Sequence, residues 1–186
     1  MAAAKMKIGG FKTPLWNACS DDDRRPVLNC AYVKDGKIVA TDVHILIWQS
    51  LTEIHGIEPE QAKLIEGKFF HRELLKEMSK CEIITFTEDG IQFVKGKIKG
   101  TFDYTDISEK YPDFEALFTE WKPEEKSKIG VNPRLLEKLR MCFSNPNSTF
   151  ALTIGANNSH IKVTSRAVNQ VDEMGVIMPV MLNENF

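Results

Sequence analysis

One order of elements recurs three times along this chain, and it constrains the fold more than any single motif does: an extended run, a helix, then several short strands. The copies share a pattern and little identity. In the first, residues 11–19 carry a weak helical signal, and strands are expected over 27–33, 37–40 and 45–49. Asp35-Gly36, set between two apolar runs, is a short hairpin turn. The second copy opens at Gly67-Lys68-Phe69-Phe70, with a helix expected over 71–78 and strands over 82–87, 91–95 and 99–103. Glu88-Asp89-Gly90 and Gly96-Lys97 supply its turns. The third opens at Lys128-Ile129-Gly130-Val131, with a helix over 133–143 and strands over 150–154, 160–164 and 176–180. Asn132 before Pro133 gives this helix an N-cap and a proline in its first turn. The polar stretches 52–63 and 106–127 read as linkers. The expected class is α+β, with antiparallel sheets on one side and short helices on the other.

With 186 residues, 42% of them hydrophobic, and 11 Phe, the chain can fill a core without metals or disulfides. Cys19, Cys30, Cys81 and Cys142 are widely spaced and read as small buried hydrophobes in a reducing compartment. No apolar run approaches the ~20 residues that span a bilayer, so a cytoplasmic protein with no membrane partner is expected. A net charge of −2 does not advertise nucleic-acid binding, although the placement of charge matters more than its sum. No glycine-rich phosphate loop, nucleophile elbow or metal-ligand spacing stands out, so no catalytic residue, cofactor or metal is expected. Asp42 and His44 form an Asp-x-His without a third group, which reads as a turn and a satisfied histidine.

Charge placement on the expected helices is more informative. Arg72, Lys76 and Lys80 fall at i, i+4 and i+8, opposite Leu74, Leu75 and Met78. Arg134 and Lys138 repeat the i, i+4 spacing, while Leu135, Leu136, Leu139 and Phe143 form the other face. Lys12 is the comparable residue of the first copy. Each could be a solvated cation or a phosphate contact.

Four segments carry a further signal: Arg25-Pro26-Val27-Leu28-Asn29, Ala40-Thr41-Asp42-Val43-His44 within the run 37–46, Tyr111-Pro112-Asp113-Phe114, and Val176-Ile177-Met178-Pro179-Val180-Met181-Leu182. In this order they resemble the peptide-binding cleft of the bacterial DNA polymerase III beta sliding clamp family. That family also builds its domains from paired units of strand, helix and three strands. The resemblance implies a DNA-clamp fold, a processivity factor in DNA replication or repair, and a cleft lined by Leu28, Thr41, Val43, His44, Leu46, Pro112, Leu117, Met178, Pro179, Val180, Met181 and Leu182. Val43 stands where the family often has glycine and Ile45 where it often has arginine, implying a narrower, less polar pocket. Lys12, Arg72, Lys76, Lys80, Arg134 and Lys138 become the implied DNA-facing residues. The implied partners are double-stranded DNA, held without sequence preference, and polymerase or repair proteins bearing short linear motifs.

The usual protomer has six units, whereas three are legible here. Residues 1–118 are expected to form a two-unit domain like the family's middle domain, and 119–186 a half-domain like the end of its last. A family ring holds twelve units, so four copies would supply the number, and the unmatched third unit implies a homo-oligomer. Two other readings stand beside this one: a peptide-binding adaptor or decoy that forms no ring, and an enzyme or small-ligand protein on a similar fold resting on Asp42 and His44 alone.

Overall fold

A computed structural model describes residues 10–119, 121–123, 129–156, 159–169 and 172–180. Strands β1 (Cys30–Lys34), β2 (Lys37–Thr41) and β3 (Ile45–Ser50) form a meander in the first third of the chain. Its first turn is Asp35-Gly36, both at positive φ, the conformation that an Asp-Gly hairpin pair adopts at low cost. After helix α1 (Pro59–Leu64) come strand β4 (Phe69–His71), helix α2 (Arg72–Ser79) and the strands β5 (Ile83–Phe86), β6 (Ile91–Lys95) and β7 (Ile98–Phe102). Helix α3 (Ala116–Thr119) interrupts the second linker. Helix α4 (Pro133–Arg140) precedes β8 (Phe150–Ile154), β9 (Ile161–Ser165) and β10 (Glu173–Ile177).

The strands make two antiparallel sheets, of order β4-β1-β2-β3-β10-β9-β8 and β5-β6-β7. Two pairings join the repeats. Strand β4 of the second copy docks on β1 of the first, with Ala31 opposite Phe70. Strand β10 of the third docks on β3 of the first, with Val176 opposite Leu46 and Ile177 opposite Ile45. Alternation then sorts side chains by face. Ala31, Val33, Ile38, Ile47, Phe70, Ile84, Phe86, Leu139 and Phe143 belong to the main core between sheets and helices. Val27, Leu28, Val39, Leu46 and Val176 form a second cluster on the other face, covered by Tyr111 and Phe114 of the linker.

Several expectations are corrected. The helix over 11–19 is a single 3-10 turn, Leu15–Asn17, because Pro14 lacks the N–H that a continuous helix needs there. The strand over 27–33 begins only at Cys30, after a second 3-10 turn at Pro26–Asn29. The third copy's opening strand is reduced to one bridge, Gly130 with Val180. Its last strand lies at 173–177 rather than 176–180, since Pro179 cannot donate to a ladder. The two stretches read as linkers contain α1 and α3.

Beneath β10 lies a buried polar network. The fully buried Glu173 carboxylate accepts from Gln49 Nε2, from the Ser144 N–H (2.6 Å) and from Ser144 Oγ (2.8 Å). Gln49 also donates to the Cys142 carbonyl (3.0 Å), and its own oxygen accepts from Thr13 Oγ1 (2.6 Å). The N-terminal segment, β3, β10 and the end of α4 are thereby tied at one point.

Candidate peptide cleft and helix surface

The turn 41–45 is fixed by its own polar groups. Asp42 Oδ1 accepts from the His44 and Ile45 N–H groups at 2.9 Å each, and Thr41 Oγ1 donates to the Ile45 carbonyl (2.7 Å) while accepting from the Val43 N–H (3.1 Å). These bonds hold Val43 at φ +81°, a left-handed conformation that a β-branched residue adopts only under strain. Asp42 Oδ2 accepts from Lys138 Nζ, so α4 reaches across and pins the turn. Met178 N–H donates to the His44 carbonyl (2.9 Å), extending the β3–β10 ladder one step to the turn.

The expected cleft residues separate by exposure. Leu28, Thr41 and Leu46 are buried, and Leu28 and Leu46 lie in the linker-covered cluster with Val176. Val43 (54%), Met178 (41%), Val180 (48%) and Leu117 (37%) are among the few large apolar side chains left exposed. Leu28, Val43 and His44 line a cavity of about 600 Å³ with Arg24, Arg25, Asp42 and Lys138. Pro112 lines a smaller depression of about 170 Å³ beside Tyr32 and Lys34, and Leu117 lines a separate, larger cavity of about 730 Å³ with Trp121 and His160. Pro179 is half-buried beside Met178. Met181 and Leu182 lie outside the described residues.

Three residues outside the expected lining belong to this region, two of them, Arg25 and Val176, within the segments that carry the cleft signal. Val176 is the buried base of the β3–β10 seam, opposite Leu46. Arg24 and Arg25 enter the cavity wall from the loop before Leu28. Arg24 is held by Asp22 (3.0 Å), which keeps the Asp22 carboxyl below the usual carboxylate range.

The expected DNA-facing cations are mostly engaged. Lys76 pairs with Glu73 (2.6 Å) and Lys80 with Glu77, each three residues apart on α2. Arg72 donates to the Ser20 carbonyl (3.0 Å) and lies 3.6 Å from Glu73. Lys138 serves Asp42. Among the described residues, Lys12 and Arg134 are exposed cations without an acidic partner. No group of three or more His, Cys, Asp or Glu among the described residues could hold a metal, and no helix there is long and apolar enough to cross a membrane.

No family model matches this sequence, and no curated protein does. Solved structures do. The DNA polymerase III beta subunit of Thermotoga maritima is 11% identical, with a TM-score of 0.59 over 91% of this chain and 63% of that one. The Pseudomonas aeruginosa subunit is 16% identical, with a TM-score of 0.58 over 90% and 62%. The Caulobacter protein, described as "C. crescentus beta sliding clamp with PEG bound to putative beta-motif tethering region", is 17% identical, with a TM-score of 0.53 over 91% and 62%. The chain spans less than two thirds of the length of each of these. Two antiparallel sheets, helices sharing their core and this agreement over nine tenths of the chain give one conclusion: these residues have the fold of the bacterial DNA polymerase III beta sliding clamps, over less than two thirds of the length of those proteins.

Proposed function

We propose that the chain is a non-enzymatic, clamp-like tether that captures short peptide motifs of polymerase or repair proteins and holds them near DNA as part of a homo-oligomer. In this reading residues 1–118 are the two-unit domain, 119–186 the half-domain, and the cleft lies along the seam where β3 meets β10. One observation carries it: the Met178–His44 backbone bond sets the exposed Met178 beside the exposed Val43. Flexible methionine and branched aliphatic side chains suit varied apolar anchors, while the cavity beside them offers Arg25 and His44 for orientation. A peptide with a glutamine followed by spaced leucine and phenylalanine anchors is expected to bind the isolated protein. Met178→Asp should weaken it at least tenfold by isothermal titration, because an anchor seated there would bury an unpaired charge. Unchanged affinity of that variant would displace the cleft from this seam.

The adaptor or decoy that forms no ring keeps a place beside this reading, favoured by the ion pairing of the helix cations. With Lys76, Lys80 and Lys138 already opposite carboxylates, little positive potential is left for phosphates. DNA retention on circular against linear duplex separates the two, since only a closed assembly is held topologically.

A further inference from the structure

The sulfur atoms of this chain differ sharply in what can reach them. All four thiols are free and buried. Burial first, then the neighbouring thiols, raises the pKa of Cys19 above the ordinary thiol range, while burial pushes Cys30 up to about 11 and Cys142 up to about 12. Protonated and shielded from solvent, these thiols are poor nucleophiles toward an oxidant. Met78 and Met174 are buried as well. Among the described residues, that leaves the thioethers of Met141 and Met178, both exposed.

These two are not equivalent. Met141 lies just past α4, and its sulfur accepts from Arg140 Nη2 (3.3 Å). A guanidinium on the sulfur lone pair draws away the electrons that an oxidant must take. Among the described residues, no group donates to the Met178 sulfur. The Met178 backbone is also tethered on both sides, since its N–H donates to the His44 carbonyl (2.9 Å) and Pro179 follows with its φ fixed. The thioether is thus presented at the end of the β3–β10 ladder, next to the exposed Val43.

We infer that Met178 is an oxidation-sensitive switch of the peptide cleft: a peroxide converts its thioether to the sulfoxide, and the bound peptide is released. The inference rests on the cleft reading above and adds a means of regulating it. The sulfur lone pair attacks one oxygen of hydrogen peroxide, and an S–O bond forms as the O–O bond breaks. The departing hydroxide collects the proton left on the new oxygen. Two electrons pass from the thioether to the peroxide, giving sulfoxide and water. The consequence follows from polarity. A thioether is apolar and polarizable and adapts to aliphatic or aromatic anchors, whereas a sulfoxide oxygen holds water that a seated anchor would strip away. Sulfoxide reductases return the thioether, so the switch can be reset.

The test uses the full chain and a peptide with glutamine, leucine and phenylalanine anchors made without Met or Cys. Hydrogen peroxide is applied and removed, and part of the sample is then treated with methionine sulfoxide reductase and dithiothreitol. Mass mapping should show Met178 gaining its oxygen well ahead of Met78 and Met174, with circular dichroism unchanged. By isothermal titration the peptide dissociation constant should rise at least about fivefold, as expected for a polar group buried without a partner, and the reductase should restore it. Met178→Leu, close in volume, should bind like the parent and keep its affinity through the same treatment, whereas Met141→Leu should lose affinity as the parent does. Should Met178→Leu itself fail to bind, the parent decides: recovery that follows the loss of oxygen from Met178 supports the switch, and recovery that follows Met181 instead overturns it. An oxidised parent that binds as tightly as before, a loss that Met178→Leu does not prevent, or a Met178 oxidised no faster than Met174 would also overturn it. Untreated parent that binds no peptide would remove the cleft reading and the switch together, whereas a cleft insensitive to peroxide would remove the switch alone.

Discussion

Val43 is the residue whose backbone and chemistry disagree most openly. A left-handed φ costs a non-glycine residue about 1–2 kcal/mol, more than the ~0.5–1 kcal/mol of chain entropy that glycine would lose there. Val43→Gly should therefore raise unfolding stability by about 0.5–1 kcal/mol in urea titrations, and loss of stability instead would show that the strain is relieved by contacts of the valine side chain. If the exposed isopropyl group contacts bound peptide, the same variant should bind more weakly while being more stable. Glu173 is the opposite case, a buried carboxylate with donors on both oxygens. Glu173→Gln turns an amide N–H₂ toward groups that are themselves donors, and should cost about 2–3 kcal/mol by the same titration. His55 supplies a pH dependence. It is buried, Nδ1 accepts from the Lys12 N–H (3.0 Å), and burial first, then the nearby Lys12 amine, lowers its pKa from 6.5 to about 3. The unfolded chain takes up this proton below pH 6.5 while the folded one does not until about pH 3. Stability should therefore fall as pH drops, by about 2 kcal/mol between pH 7 and 5, and His55→Gln should flatten that slope.

At the scale of elements, most strands were legible because their alternation and their Gly-marked turns are local. Strands β2, β3, β6 and β8 and helix α2 fall within a residue or two of the expected ranges. What was not legible is long-range. Nothing local announces that β10 will pair with β3, and this pairing decides where the ladder ends and hence that Met178 and Val180 lie beyond it. The helix cations were legible in position but not in partner. Lys138 looked like a surface charge because Asp42, its partner, lies 96 residues away. Replacing Arg72, Lys76, Arg134 and Lys138 together by alanine separates the two roles. If these helices face DNA, any retention on duplex should weaken and lose most of its salt dependence. Lys138→Ala alone should loosen the 41–45 turn and raise the peptide dissociation constant several-fold, an effect that salt should scarcely change.

At the scale of the molecule, the seven-stranded sheet is closed late in the chain. Gln49 and Glu173, neighbours across the β3–β10 seam, are 124 residues apart. At ~5–20 residues per second, a ribosome needs roughly 6–25 s to bring the second after the first. Through that interval β1, β2 and β3 can already form their meander, with Ile45, Leu46 and Ile47 along a bare backbone edge. The nascent protein is thus born with the adhesive side of its central strand uncovered, and its solubility during synthesis rests on whatever shields that strand until its own β10 emerges.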